Sequence, residues 1–230
     1  TVNACTFTGT PEGGADILLD YGIGLTTATV SNTAAYVVVE REYNVQTDKT
    51  TTSADQTYTF DNRPYVAEVK VGEDLYKYIT IADAITAVPN GGTMTLINNA
   101  TEKFAIEDGK TVTLDMAGFT LTGAITPSNA NLKIENGTIN NENASYSAIE
   151  INAGTLVLND VKVTSKRHGV RIDGAVTATI EGGEYRLSAT SGTRHAVNVS
   201  GGAEVTITDG TFVGPKGTTM DSGSAVCVQS

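Results

Sequence analysis

The sequence predicts an all-β fold, a right-handed parallel β-helix in which short strands stack coil upon coil, and three observations predict it. One phrase recurs as Leu132-Lys-Ile-Glu-Asn-Gly-Thr-Ile139, Leu156–Val163, Ala178–Tyr185 and Val205–Phe212, with alternating apolar residues around an Asn/Asp/Gly turn. A second phrase runs between its copies and aligns without gaps: Ser147–Asn152, His168–Asp173, His195–Ser200 and Ser224–Gln229. The composition is that of strands and turns, with Gly 24 against Pro 5, no Trp, only 5 Phe, and abundant Thr, Val, Ile and Asn.

The repeat carries a physical requirement. Each coil has strands with one apolar and one polar face, and alone it cannot bury the apolar face. Stacked at about 4.8 Å per coil, strands pair in parallel and their inward residues form a continuous core. The expected inward ladders are Ile149, Val170, Val197, Val226 and, beside them, Ile151, Ile172, Val199, Val228. The first phrase recurs at 24, 22 and 27 residues (132 to 156 to 178 to 205), a variation expected of coils whose turns accept insertions. A β-sandwich of antiparallel hairpins is the competing fold, but like columns at equivalent positions favour the solenoid.

Ahead of the repeats, Tyr78–Val88 is the one helical stretch. Thr80 is placed to cap it with Asp83 in the capping-box position, and Ile81, Ala84, Ile85 and Val88 share one face. Pro89-Asn90-Gly91-Gly92 ends it, and Thr93–Ile97 begins the strands. The solenoid is therefore assigned to residues 78–230. Together with Gly109-Lys-Thr-Val-Thr-Leu-Asp-Met-Ala-Gly-Phe-Thr-Leu-Thr-Gly123, this stretch resembles the pectate-lyase-like β-helix modules of bacterial cell-surface proteins. The resemblance covers residues 65–230. It implies a short helix over the first coil, and a family of polysaccharide lyases, hydrolases, adhesins and modules without known catalysis, so the fold alone does not fix an activity.

The N-terminus reads as the end of a β-helix placed before the start of one. Val2-Asn-Ala-Cys-Thr-Phe7 matches Ile207–Phe212, and Ala15-Asp-Ile-Leu-Leu-Asp20 matches Ser224–Gln229. Ala28–Thr33 and Tyr36–Val39 provide one further coil, so residues 1–45 form a β-helical segment of their own. Read from Ser230 into Thr1, the text continues almost as another coil. Two explanations stand open: an excerpt from a longer array, or a subunit whose N-terminal coils complete the next copy head to tail. The second names Val2, Cys5, Phe7, Ile17, Leu19, Val226, Cys227 and Val228 as the subunit junction, with Cys5 and Cys227 approaching across it. Residues 46–77 read as a strand-rich connector or a protruding arm.

Candidate chemistry is sparse. Lys166-Arg167-His168 with Arg171, beside Arg194-His195, is the best catalytic cluster, with His168, Arg171 and His195 as its weak candidates. A lyase acting on acidic polysaccharide needs a base and cations to stabilise developing charge. The carboxylate cluster that holds calcium in lyases of this fold is missing, as is the acid pair of its hydrolases. Glu150–Arg171 is read as a surface ion pair, and Asn136, Asp160 and Asp209 as turn-capping side chains in one column. Tyr146, Tyr185 and Arg186 are the residues to inspect for glycan contact. No cofactor and no metal are expected.

The formal charge of -11, with no basic stripe to neutralise phosphates, argues against nucleic acid and disfavours anionic membranes as partners. No CxxC pair, signal peptide or membrane-spanning apolar run is present. The expectation is an extracellular or cell-surface bacterial structural protein, the β-helical subunit of a fibre assembling as a homo-oligomeric polymer. A carbohydrate-active enzyme or glycan-binding adhesin module is the second expectation.

Overall fold

The computed structural model describes residues 63–126, 129–189, 192–215 and 223–229 with their side chains, and the backbone of six strands within residues 1–59. The chain divides into two units, Thr1–Pro64 and Tyr65–Ser230.

The first unit holds β1 (Val2–Asn3), β2 (Ile17–Asp20), β3 (Thr27–Ser31), β4 (Tyr36–Arg41), β5 (Asn44–Thr50) and β6 (Gln56–Thr59). They form two small sheets, in the orders β1-β3-β6 and β2-β4-β5. β1 pairs with β3 and β2 with β4, both parallel, with Val2 opposite Val30, Ile17 opposite Val37 and Leu19 opposite Val39. β5 and β6 then run antiparallel to β4 and β3. One coil-on-coil step is thus closed on one side by reversed strands, and β1 and β2 are the edges on the other.

The second unit begins with the hairpin β7 (Ala67–Val71) and β8 (Asp74–Tyr78), followed by helix α1 (Ile81–Ala87). The strands β9 (Gly92–Leu96), β10 (Ala100–Phe104), β11 (Thr111–Asp115) and β12 (Thr120–Ile125) follow. Longer strands then bend from one face of a coil to the next: β13 (Asn129–Asn141), β14 (Ile149–Ser165) and β15 (Val170–Leu187). β16 (His195–Ser200), β17 (Glu204–Val213) and β18 (Ser224–Val228) complete the series. From β9 to β18 every pairing is parallel. The result is a nearly all-β parallel solenoid of about 4 turns.

The inward ladders fall in the register that the repeats dictate. Ile149, Val170, Val197 and Val226 are successive partners, as are Ile151, Ile172, Val199 and Val228. Ile139, Val163, Tyr185 and Phe212 form another column. Its last two rings stack with centroids 5.1 Å apart, an arrangement that adds to simple burial. Tyr185 is fully buried, so it is no platform for a sugar, and burial pushes its phenol further above the ordinary tyrosine range, with the Asp160 charge adding to the effect.

The turns show why Asn and Asp recur. Asn136 and Asp160 have φ of 60° and 49°, the left-handed region that short polar side chains tolerate. Asn136 also donates to Asp115 at 3.2 Å, across one coil. Asp209 departs from the expected column. It stands opposite Glu181, and Gly210, with φ of 133°, takes the positive-φ position.

The stretch 46–77 contributes to both units. Its earlier strands cap the first, while β7 pairs antiparallel with β9 and so closes the first coil of the solenoid. A reversed strand stops the parallel ladder, which is how that edge is blunted.

Helix α1 sits where the sequence places it, with Thr80 Oγ1 accepting from the Asp83 N–H at 3.1 Å. The Asp83 carboxylate accepts from the Thr80 hydroxyl, and the free N–H groups of Ile81 and Ala82 go instead to the Glu102 carboxylate, at 2.7 and 3.1 Å. Lys110 donates to the carbonyls of Ile85 and Thr86 at the other end. Strand β10 and the residue just before β11 therefore place an anion at the helix N-terminus and a cation at its C-terminus, each favourable to the helix dipole. Glu102→Ala removes the acceptor of two amides and is expected to cost about 1–2 kcal/mol, with Glu102→Gln in between. Urea denaturation measures this; equal midpoints for all three proteins would show that the docking contributes nothing.

Candidate functional site

Two features stand out on the solenoid: a depression over the histidine column, and the terminal coil at β17 and β18.

The depression encloses about 270 Å³ and is lined by Arg167, His168, Arg171, Thr193, His195, Asn198, Ser200 and Gln229. The fold brings together all three of the sequence candidates His168, Arg171 and His195, from the starts of successive coils. The imidazoles stack with centroids 5.4 Å apart and planes 17° from parallel, about one strand spacing. His195 is 2% exposed.

Each imidazole does the work of a backbone carbonyl. His168 Nδ1 accepts from the N–H of His195, and His195 Nδ1 accepts from the N–H of Ser224, both at 3.2 Å. The Ser224 hydroxyl lies 2.8 Å from the same Nδ1. These bonds assign the neutral tautomer with its proton on Nε2. Burial pushes the His168 pKa down to about 4, followed by the neighbouring His195, Arg167, Arg171 and Arg194, and burial lowers His195 as well. Protonation at Nδ1 would set one N–H against another. The pair thus presents Nε2–H donors, and neither ring offers solvent the lone pair that a general base requires.

The cations around them are mostly engaged. Arg171 lies opposite Glu150 and forms ion pairs with Glu150 at 3.2 Å and Asp173 at 3.0 Å. Such half-exposed pairs contribute about 0–1 kcal/mol. Arg167 donates to the Ser145 carbonyl at 3.1 Å, Arg194 donates to the Lys166 carbonyl, and Lys166 pairs with Glu142 at 2.8 Å. The neighbouring loop is organised by buried Asn141, which donates to the Tyr146 carbonyl at 2.7 Å and accepts from the Asn143 N–H at 3.0 Å. Tyr146 lies under the Lys103 ammonium, 4.5 Å from the ring centroid, and Arg186 pairs with Glu184 at 2.5 Å. Among the described residues no group of three or more His, Cys, Asp or Glu is arranged to hold a metal ion.

The terminal coil is the second feature. Ile207, Val226 and Val228 occupy the inward ladder positions, yet they are 39%, 36% and 76% exposed. Their partners one coil earlier, Ile180, Val197 and Val199, are at 0%, 0% and 4%. The difference arises because a ladder position is buried by the coils on both of its sides, and among the described residues nothing pairs with the outer edge of β17 or β18. Cys227 continues the outward column Glu150, Arg171, Asn198 and is a free, half-buried thiol. Of the other expected junction residues, Val2 lies on β1, Ile17 and Leu19 lie on β2, and Cys5 and Phe7 are outside the described residues.

Comparison with protein-family models, with characterised proteins and with solved structures finds no match to this chain.

Proposed function

We propose that this chain is a structural subunit of an extracellular bacterial surface fibre, a pectate-lyase-like β-helical module that polymerises head to tail. The terminal coil carries the reading. Three core-type side chains stand uncovered above a parallel ladder, and a hydrophobic edge strand of that kind templates further strands. The same chain has, in β1 and β2, two edge strands whose sequence phrases repeat those of β17 and β18. A contact between two different ends of identical molecules does not close, so it propagates. The acidic surface, rich in Thr and Asn, supports a soluble location outside the cell, and two imidazoles held as backbone acceptors support a scaffold over a catalyst.

Electron microscopy of the purified chain at high concentration tests this. Filaments one solenoid wide are expected, and Val228→Asp, a change at an already exposed position, abolishes them while leaving the folded monomer intact. A wild-type sample that stays monomeric at every concentration, or filaments indifferent to Val228→Asp, would overturn the proposal.

A further inference from the structure

Resting on the head-to-tail reading, we infer the register of the junction: β1 and β2 of one copy pair in parallel with β17 and β18 of a second copy, with Val2 opposite Ile207, Ile17 opposite Val226, Leu18 opposite Cys227 and Leu19 opposite Val228.

The register follows from continuing each ladder by one more coil. The positions Ile149, Val170, Val197, Val226 would run on into Ile17 and then Val37, which is already Ile17's parallel partner. Ile151, Ile172, Val199, Val228 would run on into Leu19 and Val39 in the same way. Aliphatic residues thus occupy every position of both columns through the junction. The spacing along the chain agrees. From Leu158 to Val170, Ile180 to Val197 and Ile207 to Val226 the steps are 12, 17 and 19 residues, and from Val2 to Ile17 the step is 15. The edges match in direction too, since β1 and β2 already run parallel to their inner neighbours β3 and β4.

In this register the occupant is a second copy, because β1 and β2 cannot reach β17 and β18 of their own chain. The route β7-β9-β11-β13-β14-β15-β17 contains six strand pairings. Adding β1, β3 and β6 beyond β17 makes nine spacings, about 43 Å at ~4.8 Å each. The connection from Thr59 at the end of β6 to Ala67 at the start of β7 is eight residue steps. Fully extended it spans at most about 26–29 Å. In a second copy no such tether limits the approach.

The register also separates the two cysteines. Leu18, on β2, meets Cys227, whereas Cys5 shares the position of Gly210 on the other strand line. A native Cys5–Cys227 bridge across the junction is therefore not expected.

Disulfide trapping tests the register. In a Cys5→Ser background, Leu18→Cys faces the native Cys227 directly, at a separation of adjacent strands that a disulfide spans. Mild oxidation of assembled protein is expected to give a ladder of covalent multimers on a non-reducing gel, while Ile17→Cys and Leu19→Cys give none. A second pair, Asp20→Cys with Gln229→Cys in a background lacking both native thiols, checks the same register should Leu18→Cys misfold. Filaments without either covalent ladder, or with a ladder from Ile17→Cys as strong as from Leu18→Cys, overturn the register while leaving polymerisation intact. An oxidised monomer carrying the bond within one chain overturns the choice of a second copy. Protein that forms neither filaments nor multimers overturns the reading on which the inference rests.

Discussion

Gly183→Ala is expected to destabilise the solenoid by at least about 3 kcal/mol, through two separate effects. Gly183 has φ of 91°, and the left-handed region costs a side chain about 1–2 kcal/mol. The larger effect is steric. A Cβ at this position would overlap the Val161 carbonyl oxygen and lie 2.8 Å from the Val161 nitrogen, both backbone atoms of the adjoining coil. No rotamer relieves that contact, so β14 and β15 must separate and the ladder between them weakens. Gly109→Ala provides the control, since Gly109 has φ of 76° but nothing within 4 Å of the added Cβ. It should lose only the conformational part, about 1–2 kcal/mol. Urea midpoints for the two variants separate the contributions. Equal losses would mean that the coils accommodate a methyl group, and the close approach would not constrain the stack.

Acid is expected to loosen the histidine column between pH 6.5 and 4. In the unfolded chain His168 titrates near its ordinary value of 6.5, and in the folded chain at about 4. Within that interval the unfolded state binds the proton and the native state does not. Stability therefore falls as pH falls through the window, is flat above it, and carries the full penalty below about 4. His195 shifts in the same direction and adds with the same sign. Because His168 is partly open to solvent, the combined effect is set at about 1–2 kcal/mol after screening. The guanidinium groups of Arg167, Arg171 and Arg194 face His168 and oppose its protonation. The measurement is the thermal midpoint against pH for wild type and for His168→Asn/His195→Asn, whose amide oxygens can accept the same backbone N–H groups without titrating there. The wild-type curve should drop away from that of the double variant below pH 6.5. Parallel curves would show that the imidazoles are not the acid-sensitive element.

The solenoid was legible because its signal is repeated. Each inward position, such as Ile149 or Ile151, is specified again one coil later, so local ambiguity averages out. The helix and its cap were legible because Thr80 and Asp83 are neighbours in sequence. Glu102 and Lys110 were not, since they meet α1 from β10 and from just before β11, 20 to 25 residues away along the chain, and no spacing rule links them to it. The antiparallel caps escaped for a related reason. β5, β6 and β7 carry no copy of the repeat, and strand direction is set by which edge is free. At the candidate site, the alignment placed His168 under His195 and Glu150 beside Arg171. It could not say that each Nδ1 would accept the next coil's amide, which turns a suspected base into a structural acceptor. Asp209 and Tyr185 mark the limit of pattern reading. A single-residue register shift beside Glu181 moved the first out of its column, and alternation put the second inside.

The spacing of ladder partners bears on how the chain acquires its shape. Partners lie from 18 residues apart, as Thr120 and Thr138, to 29, as His195 and Ser224. Every coil therefore finds its template in the segment synthesised just before it, at a small loop-closure cost. Acquisition of structure is expected to follow chain order, from the coil that α1 seals and one layer at a time. Among the described residues β18 is held by β16 alone, so in the isolated chain it is expected to fray before the inner layers.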